Sequence, residues 1–90
     1  MRVLETPSFR KNVKRLQPNQ KQDVDGAVRA VLADPMAGEQ KLGDLAWVRV
    51  YKFRMVNQLT LLAYEIKDAD TIILHAVGSH ENFYRDLRTK

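Results

Sequence analysis

The sequence contains no cysteine and only two histidines among its 90 residues. Disulfide bonds, thiolate metal sites and a cysteine nucleophile are therefore excluded, and two histidines without an acidic cluster do not supply a zinc site. We accordingly expect no metal and no cofactor. The longest apolar runs fall far short of the roughly 18 residues that span a bilayer, and the N-terminus lacks the apolar segment of a signal peptide. We therefore expect a cytoplasmic protein without membrane association.

Charge is abundant and unevenly distributed along a chain whose length predicts one domain, residues 1–90. The net charge is +4. Residues 8–21 carry five basic residues and no acid, the next stretch is acidic, and Arg49, Lys52 and Arg54 then follow without an intervening acid. Two basic blocks around an acidic helix indicate contact with a polyanion, although a solvated helix surface explains the first block equally well.

Apolar spacing predicts a short strand at residues 2–5 followed by two helices. Thr6 as N-cap and Pro7 at the first helical position predict a helix that runs to about Leu16. The second helix has the clearest pattern in the chain, a single apolar stripe at helical spacing. Its members are Val24, Ala27, Val28, Val31 and Leu32.

Strand signals dominate from residue 47 onward. Strands are predicted over residues 47–55, 59–66 and 72–77, the last one breaking at Gly78. The predicted fold is α+β, in the order β-α-α-β-β-β-α, with a helical hairpin on one face of an antiparallel sheet and a short C-terminal helix.

Alternation along the first of these strands places Lys52 and Arg54 on one face and Arg49 on the other. Neither face is purely apolar, so periodicity alone does not identify the core, and a bulge near Tyr51 would reconcile the two halves. Trp47 at the strand start can stack on a base or pack in the core.

The junction after the last strand carries residues suited to chemistry. Ser79 is a candidate N-cap, and His80 and Tyr84 lie four residues apart, which places them on one helix face. Arg85 and Arg88 follow on the next turn. The alternative is a docking helix that buries Phe83 and Leu87 and has no site.

Histidine, tyrosine and basic side chains at the rim of a sheet fit metal-free RNA cleavage. The ribose 2′-hydroxyl attacks its own 3′-phosphate, so the protein must move protons and neutralise charge without supplying a nucleophile. Histidine can do the first task and arginine or lysine the second. Lys41 precedes the sheet and can contact a phosphate or remain solvated, and His75 fits a packed, hydrogen-bonded histidine.

Three stretches resemble the RelE/ParE superfamily of bacterial type II toxins. DPMAGEQKLGDLAWVRVYKFR resembles the family's entry into its sheet, LTLLAYEI its central strand, and ILHAVGSHENFY its ending. The resemblance spans nearly the whole chain and implies the fold described above. It also implies a cognate antitoxin whose flexible segment wraps the domain.

The resemblance implies one of two activities. Members similar to RelE and YafQ are mRNA interferases, several of which act on the ribosome, whereas members similar to ParE poison DNA gyrase and lack the catalytic residues. GSHENFY resembles the YafQ-type ending, which implies proton transfer by His80 and stacking or acid–base help by Tyr84. Lys52 and Arg54 match the region where RelE-type toxins contact phosphate.

The chain also departs from both templates, because it lacks the arginine of the RelE-type third strand and the strand histidine and aspartate of the YafQ type. We expect an endoribonuclease acting on ribosome-bound mRNA, with a non-enzymatic gyrase inhibitor as the alternative and a toxin fold with neither activity as a third outcome. The expected catalytic residues are His80, Tyr84, Arg54 and Lys52, and the expected phosphate contacts are Arg49, Lys41, Arg85 and Arg88.

Overall fold

The computed structural model describes residues 2–79 together with Phe83, Tyr84 and Leu87. A short 3₁₀ helix, Gly43–Leu45, precedes the third strand, and Phe83, Tyr84 and Leu87 are helical. None of the helices in the described ranges is long and apolar enough to cross a membrane. The elements are β1 (Arg2–Glu5), α1 (Pro7–Lys14), α2 (Pro18–Ala33), β2 (Glu39–Gln40), β3 (Arg49–Met55), β4 (Gln58–Asp68) and β5 (Thr71–Ser79).

The five strands form one sheet in the order β1-β5-β4-β3-β2. The predicted α+β class and the antiparallel β3-β4-β5 meander are confirmed. Two features were not predicted: β1 pairs parallel to β5, and the two-residue β2 extends the sheet beyond β3. The connection from β1 to β5 contains both helices and strands β2 to β4, which meets the need of parallel neighbours for a long connection.

The predicted irregularities of the strands are wrong in their positions. The β3–β4 register runs from Arg49↔Tyr64 to Met55↔Gln58 without a shift, so no bulge occurs near Tyr51. The shifts lie instead between β4 and β5. Strand β5 also continues through Gly78 to Ser79, so the predicted break at Gly78 is wrong.

The helices begin where their capping residues predict. The Thr6 side chain accepts a hydrogen bond from the Phe9 N–H at 3.1 Å, and Pro7 occupies the first turn, where its missing N–H costs nothing. Helix α1 ends at Lys14 rather than Leu16. The stripe on α2 faces the sheet as predicted, with Val24, Ala27 and Val31 buried.

The sheet separates two hydrophobic clusters. The larger one lies between the sheet and helices α1 and α2, and Tyr51, Phe53 and Met55 of β3 pack in it. The smaller one covers the opposite side, which we call the outer face. Its members are Leu45, Val48, Val50, Leu61, Ala63, Ala76, Phe83 and Leu87.

The β3–β4 hairpin turns through Val56 and Asn57, both with positive φ (50° and 68°), as type I′ turns require. A β-branched residue in this region is strained by about 1–2 kcal/mol. The Val56 N–H donates to Asp23 Oδ2 at 2.8 Å, while its side chain is 46% exposed.

We therefore expect Val56→Asn to raise the free energy of unfolding by about 1 kcal/mol, because asparagine tolerates the left-handed region and no buried contact is lost. Urea denaturation measures the change. A midpoint equal to or below that of the parent chain would show that the turn is not strained.

Candidate active site on the outer face

Lys52 and Arg54 stand on the outer face. They alternate along β3 with Tyr51, Phe53 and Met55, which pack toward the helices. Both are exposed, and one Arg54 N–H donates to the Asn57 carbonyl at 3.2 Å. Lys52 pairs with Leu61, which pairs with Gly78. The end of β5 therefore lies two strands from Lys52, about 10 Å away.

A second cation meets the C-terminal helical residues on this face. Lys41 follows β2, and its backbone N–H donates to the Val48 carbonyl at 3.1 Å. Its Nζ lies 5.4 Å from the centroid of the Tyr84 ring, within cation–π range. The same Nζ forms an ion pair with Glu39 Oε1 at 2.7 Å.

These contacts fix the charge state of the cluster. Hydrogen bonds, first with Glu39 and then with the Tyr84 side chain, raise the pKa of Lys41 above its ordinary value. The hydrogen bond and charge of Lys41, with a further contribution from Lys52, lower the pKa of Glu39. Lys41 is therefore an ammonium group at neutral pH, suited to stabilising negative charge rather than to accepting a proton.

The Glu39–Lys41 pair predicts a pH dependence with a definite sign. Since the pKa of Glu39 is lowered in the folded state, the pair stabilises the protein above the ordinary value of 4.5, and this contribution is lost as the pH falls through the lowered value. We expect Lys41→Met to move the Glu39 pKa back toward 4.5.

Carboxyl NMR titration of the parent chain and the Lys41→Met variant measures this shift. Lys67→Met, an exposed lysine on β4, is the matched control and should leave the Glu39 titration unchanged. An unaltered Glu39 pKa in Lys41→Met would contradict the ion pair.

Arg49, one of the predicted phosphate contacts, forms hydrogen bonds within the fold. It lies on the helix side of β3, and its guanidinium donates to the Gly38 carbonyl at 3.0 Å, to Gln40 Oε1 at 2.9 Å and to the Met36 carbonyl at 3.4 Å. These bonds attach the segment before β2 to the sheet. Arg49 is thus separated from Lys52 and Arg54, and we exclude it from the candidate site.

Tyr64 strengthens the same attachment. Its hydroxyl accepts from the Gly38 N–H at 2.9 Å and donates to the Pro35 carbonyl at 2.6 Å, and its ring is fully buried. Gly38 directly precedes Glu39, the first residue of β2. Arg49 and Tyr64 therefore position the strand that supplies Glu39 and Lys41.

Three of the other predicted residues are not described by the structure, whereas His75 is. His80, Arg85 and Arg88 lie outside the described residues. His75 is the packed, hydrogen-bonded histidine that was expected, with its Nε2 2.9 Å from Glu65 Oε1. The described ranges contain no group of three or more histidine, aspartate or glutamate side chains that could hold a metal ion.

Sequence reasoning missed Glu39. It stands two residues before Lys41 in a strand of only two residues, too short to give a periodic signal. The i, i+2 spacing of Glu39 and Lys41, which places two side chains on one face of an extended chain, was the available signal.

A comparison with known families finds one match over almost the whole chain. The profile of ParE-like toxins of type II bacterial toxin-antitoxin systems matches residues 3–88. The chain belongs to this toxin family. A search of curated proteins finds no match to the toxin.

Solved structures show the same fold at low sequence identity. A free E. coli RelE mutant with two arginine-to-alanine substitutions has a TM-score of 0.71 at 16% identity, covering 98% of the toxin and 95% of that chain. The toxin chain matched in the E. coli RelBE toxin-antitoxin complex has a TM-score of 0.68 at 18% identity, and the match covers 89% of this chain and 96% of that chain. The chain matched in the RelB–RelE complex from Methanococcus jannaschii has a TM-score of 0.53 at 20% identity, and the match covers 91% of this chain and 95% of that chain.

Proposed function

We propose that this toxin is a metal-free endoribonuclease that cleaves mRNA on the ribosome. The observation that carries the proposal is the contact of Lys41 with Tyr84, on the same face of the sheet as Lys52 and Arg54. A phenol held beside an ammonium group, with further cations nearby, suits a reaction in which a phosphate gains charge and an alkoxide leaves.

The reaction joins the ribose 2′-oxygen to phosphorus and breaks the bond from phosphorus to the 5′-oxygen. It leaves a 2′,3′-cyclic phosphate and a 5′-hydroxyl. Lys52, Arg54 and Lys41 neutralise the phosphorane, and Tyr84 donates a proton to the departing oxygen. The family resemblance implies proton transfer by His80, which lies outside the described residues, and we propose that it accepts the 2′-proton. Arg85 and Arg88, also outside them, are proposed as further phosphate contacts.

A cognate antitoxin is the proposed protein partner, acting with the toxin in the cytoplasm. RelE, which shares the fold, is found in complex with the antitoxin RelB in several solved structures. The exposed basic residues of α1, including Arg10, Lys11 and Lys14, would complement an acidic, amphipathic partner.

The alternative is a non-enzymatic inhibitor of DNA gyrase, and the match to the ParE-like family profile is the observation that favours it. Primer extension on mRNA from cells that express the toxin separates the two. New 5′ ends inside coding regions support the nuclease, whereas accumulated complexes of gyrase with cleaved DNA support the inhibitor.

A direct test incubates the purified toxin and programmed ribosomes with mRNA. Products ending in a 2′,3′-cyclic phosphate are expected, and mRNA with 2′-O-methyl groups in the codon at the cleavage site should resist, because the attacking oxygen is blocked. Equal cleavage of both messages would overturn the proposed chemistry.

A further inference from the structure

Trp47 is a partly exposed aromatic residue between two buried ones. It follows the 3₁₀ helix and has 40% of its surface exposed, while Leu45, two residues earlier, and Val48, the next residue, are 3% and 0% exposed. Its indole therefore presents a large apolar area to solvent beside the outer-face cluster.

The indole is held by a second ring. The centroids of Trp47 and His75 lie 4.7 Å apart with an interplanar angle of 76°, an edge-to-face arrangement that favours both rings. His75 lies at the register shift of β5, between Leu74, which pairs with Tyr64, and Ala76, which pairs with Ala63. The extra residue of a bulge re-aims a side chain, here toward the outer face.

Both the side chain and the backbone of His75 are held by hydrogen bonds. Its Nε2 meets Glu65 Oε1 at 2.9 Å, with 15% of the His75 side chain and 34% of the Glu65 side chain exposed. The backbone carbonyl of His75 accepts from the Thr6 hydroxyl at 2.9 Å. Trp47 therefore rests on a support that is formed before any ligand arrives.

Cations stand on the same face of the sheet as this ring. The backbone N–H of Lys41 donates to the carbonyl of Val48, the residue after Trp47. Lys52 lies five residues beyond Trp47, roughly 17 Å along an extended chain. An exposed ring and cations on one face are the two components of a site for single-stranded nucleic acid, in which bases stack and phosphates pair with lysine and arginine.

We propose that the indole of Trp47, supported by His75 and Glu65, is a stacking platform for one unpaired base of the RNA strand. The phosphates of that strand contact Lys41 and Lys52. The inference rests on the proposed function for the identity of the strand but not for the stacking itself. A base within a duplex cannot reach the ring, so the platform selects unpaired RNA.

The chain contains a single tryptophan, so its intrinsic fluorescence reports on this site alone. We expect a 2′-O-methyl oligoribonucleotide, which cannot be cleaved by 2′-oxygen attack, to change the Trp47 emission saturably in the full-length toxin. The same strand annealed to its complement should give no saturable change. Fluorescence anisotropy of a labelled strand measures affinity independently of the indole.

Trp47→Ala should weaken binding of the labelled strand about 10-fold, since stacking on one base contributes roughly 1–3 kcal/mol, and Trp47→Phe should recover part of the loss. Leu42→Ala is the matched control, because Leu42 is an apolar residue of the same loop with 86% exposure, and it should bind like the parent chain. Thermal melts of each variant verify the fold.

Three results would overturn the platform. They are full affinity for the labelled strand in a folded Trp47→Ala variant, unchanged Trp47 emission at a saturating concentration of the strand, and no binding of the strand to the parent toxin. The proposed cleavage is judged separately. A toxin that cleaves no mRNA but whose emission responds to the unpaired strand refutes the nuclease and supports the platform. A toxin that cleaves without that response refutes the platform alone.

Discussion

Tyr84→Phe is expected to lower the rate of mRNA cleavage about 100-fold or more, the typical contribution of a positioned proton donor. The substitution removes one hydroxyl and keeps the ring that lies beneath Lys41 and against Phe83. The free energy of unfolding should therefore stay close to that of the parent chain. Single-turnover cleavage on programmed ribosomes and growth after induction measure the effect.

Tyr51→Phe is the matched control, since it makes the same chemical change on the helix side of β3. It should cleave at the parent rate. If Tyr84→Phe cleaves as fast as Tyr51→Phe, the phenol has no part in proton transfer. If cells that express the Tyr84→Phe variant still stop growing although the variant cleaves no mRNA, the result supports the gyrase alternative.

Gly38→Ala is expected to destabilise the fold by about 3 kcal/mol, at the upper end of the usual cost of overpacking. An added Cβ would lie 2.6 Å from the Tyr64 hydroxyl oxygen and 2.7 Å from its Cε1. The Tyr64 ring is fully buried and cannot swing away. For a chain of this size the melting temperature should fall by more than about 10 °C.

Gly26→Ala provides the opposite result in the same assay. Gly26 lies within α2, and nothing stands within 4 Å of an added Cβ, so the change should stabilise the protein by about 1 kcal/mol through helix propensity. The clash at Gly38 is refuted if Gly38→Ala melts at or above the temperature of the parent chain. The fraction of the Gly38→Ala variant that remains folded should also cleave mRNA slowly. The reason is that displacement of the segment around residue 38 would move Glu39 and Lys41, which follow it.

The sequence was sufficient for most of the fold because local signals and the global structure agree. Thr6 and Pro7 set the start of α1, and the apolar stripe of α2 gives both its length and its buried face. The β3-β4-β5 meander follows from strand runs joined by short polar turns. The parallel pairing of β1 with β5 and the two-residue β2 were not predicted, because the first is a contact between residues far apart in sequence and the second is too short for a periodic signal.

The candidate site was less predictable because it depends on the phase of strands and on contacts across loops. Alternation correctly placed Lys52 and Arg54 on one face and Arg49 on the other, but it did not predict the hydrogen bonds of Arg49 to the segment before β2. Glu39 escaped notice in a two-residue strand. The shift at His75, which aims its ring at Trp47, comes from pairing between β4 and β5 and leaves no mark in the sequence.

The bond from Thr6 to His75 closes a chain separation of 69 residues. Strand β1 is therefore made well before it can dock, since its neighbour β5 is synthesised after all the other strands of the sheet. At 5–20 residues per second that delay is roughly 3–14 s. During this interval the nascent chain cannot assemble its support for Trp47, so the ring platform becomes complete only after the final strand has been made.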